Sequence, residues 1–291
     1  MALDLNANCL PTARTVADLR DQVKVWRADG LRIALVPTMG ALHIGHMSLI
    51  EEAKKHADKV IVSIFVNPTQ FAPHEDFDAY PRTEKTDSEL VKDHGGHLIY
   101  APSGTEMYPD GFSTSINITG ITNGLCGDSR PHFFGGVAIV VSKLLLQALP
   151  DVAIFGEKDY QQLQVIKRMV ADLNIPVEVV GAPLVRDEDG LATSSRNKYL
   201  TAQDRQQGLA LHKALANVAT LVKNGKTAAD ALKASEAILN DAEITSWDYF
   251  EVRDASDLTL VDGPVTRPAR AFIATQVGKA RLIDNWPIDP A

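Results

Sequence analysis

Short β-branched runs alternate with amphipathic helical patterns through roughly the first 185 of the chain's 291 residues, and this alternation limits the possible folds most strongly. The β-branched runs lie at 32–36, 60–66, 97–100, 152–155 and 177–180. The helical patterns lie at 15–28, 43–57, 84–94, 136–149 and 159–173. Strands that lack a polar face are buried on both sides, as in a parallel sheet covered by helices. We therefore predict a doubly wound parallel α/β (Rossmann-like) domain over 1–185, with ligands beyond the carboxyl ends of its strands.

The pattern changes after residue 186. A polar turn at 187–190 reads DEDG and is predicted to serve as a hinge. Two helical patterns follow, and then three strand patterns, at 202–223, 227–240, 247–253, 270–277 and 280–284. Helices followed by strands indicate a second, smaller α+β domain over 186–291, which we expect to act as a lid.

Charge and cysteine content exclude several classes of protein. The 29 basic and 37 acidic residues give a net charge of −8, whereas a nucleic-acid binder presents a basic face to the phosphate backbone. Cys9 and Cys126 are far apart and have no metal-ligand spacing, which is typical of reduced cytoplasmic thiols. The first ten residues lack the basic region of a secretory signal, and the most apolar helical stretch is too short for a membrane span. We expect a cytoplasmic protein without a nucleic-acid or membrane partner.

Segment 37–46 reads PTMGALHIGH and joins a predicted strand to a predicted helix. Gly40 permits a tight turn, and Gly45 lets a ligand lie close to the first helical turn because no Cβ intervenes. His43 and His46 are three residues apart, so they share one face at the helix start, where free N–H groups and the helix dipole favour phosphate. The alternative is a pair of solvated histidines on an ordinary helix. The position directly after a strand and a glycine turn favours phosphate binding.

Two further polar segments follow predicted strands. Segment 66–71 reads VNPTQF and places two amide side chains at the sheet edge, those of Asn67 and Gln70. Taken alone, it is equally consistent with a polar loop. Segment 155–163 reads FGEKDYQQL, and its Lys158 is a point charge suited to phosphate, with Gln162 one turn later. The alternative there is a capped helix with an exposed lysine.

Segment 191–200 reads LATSSRNKYL and lies at the predicted domain junction. Its consecutive hydroxyls and its arginine supply donors and one fixed cation that could follow pyrophosphate. A serine-rich capping turn is the alternative, and it would be favoured if the segment stood alone.

Together these segments resemble the nucleotidyl-transfer superfamily that includes class I aminoacyl-tRNA synthetases. The chain is more closely similar to the pantothenate synthetase (pantoate–β-alanine ligase) family. That family's segments PTMGxLHxGH, FVNPxQF, EDxxxYPRT, GEKDxQQ and SSRN occur in order between Pro37 and Asn197. The resemblance implies that ATP and (R)-pantoate form pantoyl adenylate and pyrophosphate, after which β-alanine yields pantothenate and AMP. Since no protein nucleophile is evident, catalysis would rest on positioning and charge stabilisation.

The resemblance also implies residue roles. It assigns ATP to Met39, Gly40, Ala41, Leu42, His43, Ile44, Gly45, His46, Gly156, Glu157, Lys158, Asp159, Val185, Thr193, Ser194, Ser195 and Arg196. Among these it implies a catalytic role for His43, His46 (as proton donor), Lys158, Ser195 and Arg196. Pantoate would bind Gln70, which borders the β-alanine site, and Gln162, with Asn67 alongside. Mg²⁺ would arrive with ATP, with Asp87 as its candidate ligand. Family members are usually homodimers, and we expect one here.

Three features depart from the family pattern. The magnesium-associated acidic cluster that follows YPRT in the family is reduced here to Glu84, Asp87 and Glu89, of which only Asp87 lies where a ligand is expected. Thr193 stands where the family usually has methionine, and Phe133 stands where it often has histidine. We do not expect the neighbouring His132 to replace that imidazole. Two other functions stay open at this point. One is a different nucleotidyltransferase of the superfamily that acts on another small acid, and the other is a catalytically silent nucleotide-binding module.

Overall fold

A computed structural model describes residues 10–71 and 77–290, which form two compact units. Cys9 lies outside the described residues, and so do Glu75 and Asp76, which begin the EDxxxYPRT segment. The first unit comprises the described residues up to Thr122 together with Arg130–Glu157 and Val165–Pro183. The second comprises Asn123–Ser129, Lys158–Gln164 and the described residues from Leu184 onward. The division into independently folding domains 1–185 and 186–291 stays a prediction.

The first unit is built on a parallel sheet. Its strands are β1 (Thr12–Ala13), β2 (Ile33–Thr38), β3 (Lys59–Ile64), β4 (Leu98–Tyr100), β5 (Val152–Gly156) and β6 (Glu178–Ala182). They lie in the order β1-β4-β3-β2-β5-β6, and every neighbouring pair is parallel. The chain winds outward from β2 through β3 and β4 on one side and through β5 and β6 on the other. The doubly wound α/β prediction is confirmed, although the short β1 was not foreseen.

Seven helices lie between Val16 and Asp172 in the described part of the chain, and one of them, Cys126–Ser129, belongs to the second unit. They are α1 (Val16–Ala28), α2 (Ile44–His56), α3 (Glu84–Asp93), α4 (Gly104–Met107), α5 (Cys126–Ser129), α6 (Phe133–Ala148) and α7 (Tyr160–Asp172). Residues 33–36 of β2 are fully buried, as expected for a central strand covered by helices on both faces. Among the described helices, none has the length and apolar character that a bilayer crossing needs.

The second unit contains α8 (Ala202–Lys223), α9 (Ala228–Asp241) and an antiparallel sheet of β7 (Tyr249–Asp254), β8 (Ala269–Val277) and β9 (Ala280–Ile288). The start of α8 is a capping box, in which Thr201 and Asp204 each accept the other's backbone N–H, at 3.1 and 2.9 Å. Buried apolar side chains of α8 and of the sheet form one core, including Leu215 and Ile273. The predicted small α+β arrangement is confirmed.

The winding of the sheet decides where a ligand can bind in the first unit. β2 and β5 are neighbours, with Ala34 paired to Val152, and the chain turns in opposite directions from them. In doubly wound sheets such a switch point opens a crevice beyond the carboxyl ends of the two strands. β2 ends at Thr38 and β5 at Gly156, so the predicted phosphate-binding segments both begin at this edge.

Candidate active site

The turn after β2 has a backbone that few residues can adopt. Gly40 has φ +80°, and Ala41 follows with φ +51°. The Thr38 hydroxyl accepts the Gly40 N–H at 3.2 Å and donates to the Ser63 carbonyl at 2.7 Å. A Cβ on Gly40 would lie 3.1 Å from a carboxylate oxygen of Asp87. Both the conformation and the lack of space therefore require glycine here.

Asp87 of α3 holds this turn in place. Its side chain is only 2% exposed, and its carboxylate accepts the N–H groups of Ala41 and Leu42 at 3.0 and 2.9 Å. The Thr83 hydroxyl donates to the same carboxylate at 3.2 Å. Hydrogen bonds to an ionised acceptor are stronger than neutral ones, so this carboxylate fixes the turn that precedes α2. Sequence analysis did not foresee this contact.

The described residues do not supply a full set of protein ligands for Mg²⁺. Within the described ranges, no group of three or more His, Cys, Asp or Glu residues lies together in a way that could hold a metal ion. Both carboxylate oxygens of Asp87 already accept backbone hydrogens. The role of Asp87 as a Mg²⁺ ligand stays a prediction. Mg²⁺ at this place would take most of its ligands from the phosphates of ATP and from water.

The two histidines lie together at the start of α2. His43 is the N-cap residue, and its ring centroid is 4.1 Å from that of His46. Nδ1 of His46 accepts the backbone N–H of His43 at 3.3 Å. A nitrogen that accepts cannot carry the proton of the neutral ring, so that proton is on Nε2. The neutral His46 ring therefore carries its proton on Nε2, and its role as a proton donor stays a prediction.

Asn67 is a buried hub in the segment after β3, with 1% of its surface exposed. Its Nδ2 donates to Oε1 of Gln70 at 2.8 Å and to the Gly136 carbonyl at 3.0 Å. Its Oδ1 accepts the hydroxyls of Tyr108 at 2.8 Å and Thr69 at 3.0 Å. Because Oε1 of Gln70 is occupied, the Gln70 amide is oriented with Nε2 as the donor available to a ligand. Asn67 therefore positions Gln70, a role that the sequence did not distinguish from ligand contact.

The start of α6 packs tightly on the same segment, at Gly136. A Cβ built on Gly136 would lie 2.2 Å from the Thr69 carbonyl oxygen, whereas one on Gly135 would meet nothing nearer than 3.6 Å. Gly136→Ala is expected to destabilise the protein by about 2–3 kcal/mol, because the backbone must move. Gly135→Ala, the matched control, is expected to be neutral or to stabilise by up to about 1 kcal/mol. Urea unfolding measures both, and equal free energies of unfolding for the two variants would contradict the packing argument.

Phe133, which stands at the family's histidine position, supports an arginine. The Arg130 guanidinium lies 4.1 Å from the centroid of the Phe133 ring, and it donates to the Gln70 carbonyl at 3.1 Å. His132 is exposed and forms the N-cap of α6 without a side-chain cap bond. The aromatic ring thus stacks under a cation that contacts the backbone of a predicted pantoate residue.

In the second unit, Lys158 belongs to a 3-10 turn that leads into α7. Its side chain is 22% exposed, and Nζ lies 3.8 Å from a carboxylate oxygen of Asp159. The Lys158 carbonyl accepts Nδ2 of Asn285 in β9 at 3.0 Å. At the neighbouring position in β9, Asp284 binds Arg186 through two hydrogen bonds of 2.7 and 2.9 Å. One strand therefore anchors both the lysine turn and the segment that begins at Val185.

Gln161 and Gln162 are neighbours with different environments. Oε1 of Gln161 accepts the Cys126 N–H at 3.0 Å, and its Nε2 donates to the Gly124 carbonyl at 3.1 Å. Gln161 is buried and holds the loop before α5, whereas Gln162 is half-buried. The sequence analysis selected Gln162 as a substrate-binding residue. The structure shows that both polar groups of the Gln161 side chain are instead hydrogen-bonded to the protein backbone.

The Ser-Ser-Arg segment follows a short hairpin in the second unit. The Val185 carbonyl accepts the Thr193 N–H at 3.0 Å, so this carbonyl is already used within the hairpin, and the predicted adenine contact of Val185 stays a prediction. Ser194 caps the following 3-10 turn by accepting the Arg196 N–H at 3.3 Å. Ser195 and Arg196 are half-buried. The capping turn foreseen as an alternative is therefore present, and it accounts for Ser194 alone.

Comparison with known proteins shows that the chain matches one family model and has relatives of about 50% identity. A family model described as pantoate-beta-alanine ligase matches residues 11–287. Pantothenate synthetase of Caulobacter vibrioides is 53% identical over 277 residues, covering 94% of this chain and 97% of the relative. That of Rhodospirillum rubrum is 50% identical over 276 residues, covering 95% and 98%.

Solved structures agree with these relatives. Pantothenate synthetase from Thermus thermophilus superposes with a TM-score of 0.89 at 43% identity, covering 96% of this chain and 99% of that one. Pantoate-beta-alanine ligase from Francisella tularensis, crystallised with beta-gamma ATP and beta-alanine, gives a TM-score of 0.77 at 34% identity. This second match covers 95% of the present chain and 97% of the other.

Proposed function

We propose that this chain, which belongs to the pantoate–β-alanine ligase family, joins (R)-pantoate to β-alanine in an ATP-dependent reaction. The enzyme is then a ligase that forms a C–N bond and releases AMP and pyrophosphate. The observation that carries this proposal is the helix start at His43 and His46, held by Asp87 at the switch point of the sheet. Such a helix start offers N–H donors to phosphate groups.

The first step is adenylation. A carboxylate oxygen of pantoate attacks the α-phosphorus of ATP, forming a new P–O bond, and the bond to the departing pyrophosphate breaks. Negative charge builds on the phosphoryl oxygens, and a fixed donor such as Nε2 of His46 stabilises that charge more than it stabilises the ground state. His43 is the N-cap of α2, so it places the N–H donors of the helix start beside His46. Lys158, Ser195 and Arg196 would supply a cation, a hydroxyl and a guanidinium to the phosphates.

The second step forms the amide. The amine of β-alanine attacks the carbonyl carbon of pantoyl adenylate, the C–N bond forms, and AMP leaves with the electron pair of the C–O bond. The amine must be neutral to attack, so it loses a proton before or during this step. Gln70 presents Nε2 to pantoate because Asn67 occupies Oε1, and Gln162 is the proposed second amide for pantoate. Both steps rely on orientation rather than on a protein nucleophile.

Further parts of the proposal concern the bound nucleotide and the whole protein. Mg²⁺ would accompany ATP and neutralise phosphate charge while keeping several waters. The remaining nucleotide contacts are those proposed for Met39, Gly40, Ala41, Leu42, Ile44, Gly45, Gly156, Glu157, Asp159, Val185, Thr193 and Ser194.

We also propose a cytoplasmic homodimer in which residues 186–291 serve as a lid. Chemical cross-linking and the sedimentation velocity of the purified chain test the dimer.

Isotope exchange tests the reaction itself. We expect pantoate-dependent exchange of labelled pyrophosphate into ATP without β-alanine, and AMP formation only when ATP, pantoate and β-alanine are all present. Exchange that responds to another small acid would instead identify a different nucleotidyltransferase. ATP binding without exchange under any acid would identify a silent nucleotide-binding module.

A further inference from the structure

One carboxylate gathers donors from both sides of the Ser194–Arg196 segment. Oδ1 of Asp187 accepts the Thr193 hydroxyl at 2.6 Å, just before the segment. Its Oδ2 accepts Nδ2 of Asn197 at 3.4 Å, just after the segment, and Nη2 of Arg205 in α8 at 2.8 Å. The partners of Asp187 therefore lie on both sides of the segment from which Ser195 and Arg196 are proposed to reach the ATP phosphates.

The backbone around Asp187 is itself well fixed. The Asp187 N–H donates to the Leu191 carbonyl at 2.8 Å, and Arg186 and Ala192 pair as an antiparallel bridge. Arg205 also binds both carboxylate oxygens of Asp189, at 2.7 and 2.9 Å. The turn predicted as a hinge is thus a hairpin cross-linked to α8, and bending within it would break these bonds.

Thr193 has a side chain that is committed to the protein. The residue is 7% exposed, and its hydroxyl is used on Asp187, so any ligand contact at this position is through its backbone. Burial raises the pKa of Asp187, but the hydrogen bonds from Thr193 and Arg205 outweigh it and keep the pKa below its ordinary value. The acceptor is therefore a charged carboxylate at neutral pH. A methionine at position 193 would have no hydroxyl to offer it.

We propose that Asp187 and Thr193 form a positioning pair, in which the Thr193 hydroxyl ties the start of the Ser194–Arg196 segment to the Asp187 carboxylate and so sets the segment's geometry for the ATP phosphates. The proposal rests on the proposed function of this segment. It also gives a specific role to the threonine, which departs from the family pattern.

Thr193→Val tests the pair because it keeps the side-chain shape and removes only the hydroxyl. The KM for ATP in pantoate-dependent exchange, and the Kd for ATP by calorimetry, are expected to rise about tenfold, as for a lost hydrogen bond to a charged group. The KM for pantoate is expected to stay within about twofold. Thr193→Ser, which keeps the hydroxyl, is expected to restore the ATP constants to near the wild-type values.

Thr259→Val is the matched control, since the exposed Thr259 also donates its hydroxyl to an aspartate, Asp257, at 2.6 Å. It is expected to leave the ATP constants unchanged. Unchanged ATP constants in Thr193→Val, or an equal rise for ATP and pantoate, would overturn the positioning role. Asp187→Asn is the second variant if Thr193→Val does not fold, with the same expected selective loss for ATP. If wild-type protein shows no exchange, the proposed function fails, and calorimetry with ATP alone still decides the pair.

Discussion

His46→Ala is expected to lower kcat for pantoate-dependent pyrophosphate exchange by roughly 10² or more, with little change in thermal stability. His46 accepts the His43 N–H through Nδ1, and this bond assigns the ring proton to Nε2. Removing the ring removes a donor that is fixed before the reaction begins, which is the kind of interaction that lowers a barrier most. The ring is half-buried, and its loss leaves the apolar core untouched.

The other end of the same helix supplies the control for this variant. His56 is the last residue of α2, and its imidazole pairs with Glu52 at 3.2 Å. His56→Ala is expected to leave kcat unchanged within about twofold, since surface pairs contribute little. Quench-flow measurement of pyrophosphate formation in both variants reports the adenylation step separately from product release. A wild-type rate of formation in His46→Ala would reduce His46 to a structural residue of the helix start.

The fold could be predicted from the sequence because its central strands are apolar along most of their length. β2 and β3 are apolar on both faces, so the sequence pattern could not be mistaken for a half-exposed antiparallel strand. Three short elements were not predicted. β1 has only two residues, and α4 and α5 have only four each, which is too few to show any periodicity.

Parts of the candidate site were readable from residue type, and others were not. His46 and Lys158 were selected because their segments follow strand ends and their side chains suit phosphate, and their roles stay predictions. Asn67 has an equally polar side chain, but its role as a buried hub depends on Tyr108 and Gly136, which are distant in sequence. Local sequence carries no record of which long-range partner fills a hydrogen bond. That is why residues that orient other residues are harder to find than residues that meet a ligand.

Asp87→Asn is expected to lower pantoate-dependent exchange by roughly 10² and the free energy of unfolding by about 2–3 kcal/mol. Both oxygens of Asp87 accept backbone hydrogens, from Ala41 and Leu42. An amide of the same size offers only one acceptor, and its NH₂ group must then face a backbone donor in a buried place. The turn that leads into α2 would shift, and the histidine that follows it would shift with it.

The response of the variant to added Mg²⁺ distinguishes a positioning role of Asp87 from a role as a metal ligand. If Asp87 acts only through Mg²⁺, the asparagine variant would unfold like wild type in the absence of nucleotide and metal, and excess Mg²⁺ would restore its exchange rate. If it holds the turn, the loss of stability is present without any ligand, and added Mg²⁺ restores nothing. Asp93→Asn, an exposed change at the end of the same helix α3, controls for the removal of one acidic charge and is expected to leave both quantities unchanged. A stable Asp87→Asn protein rescued by Mg²⁺ would return Asp87 to the metal site and leave the turn to be held by Thr38 and Gly40 alone.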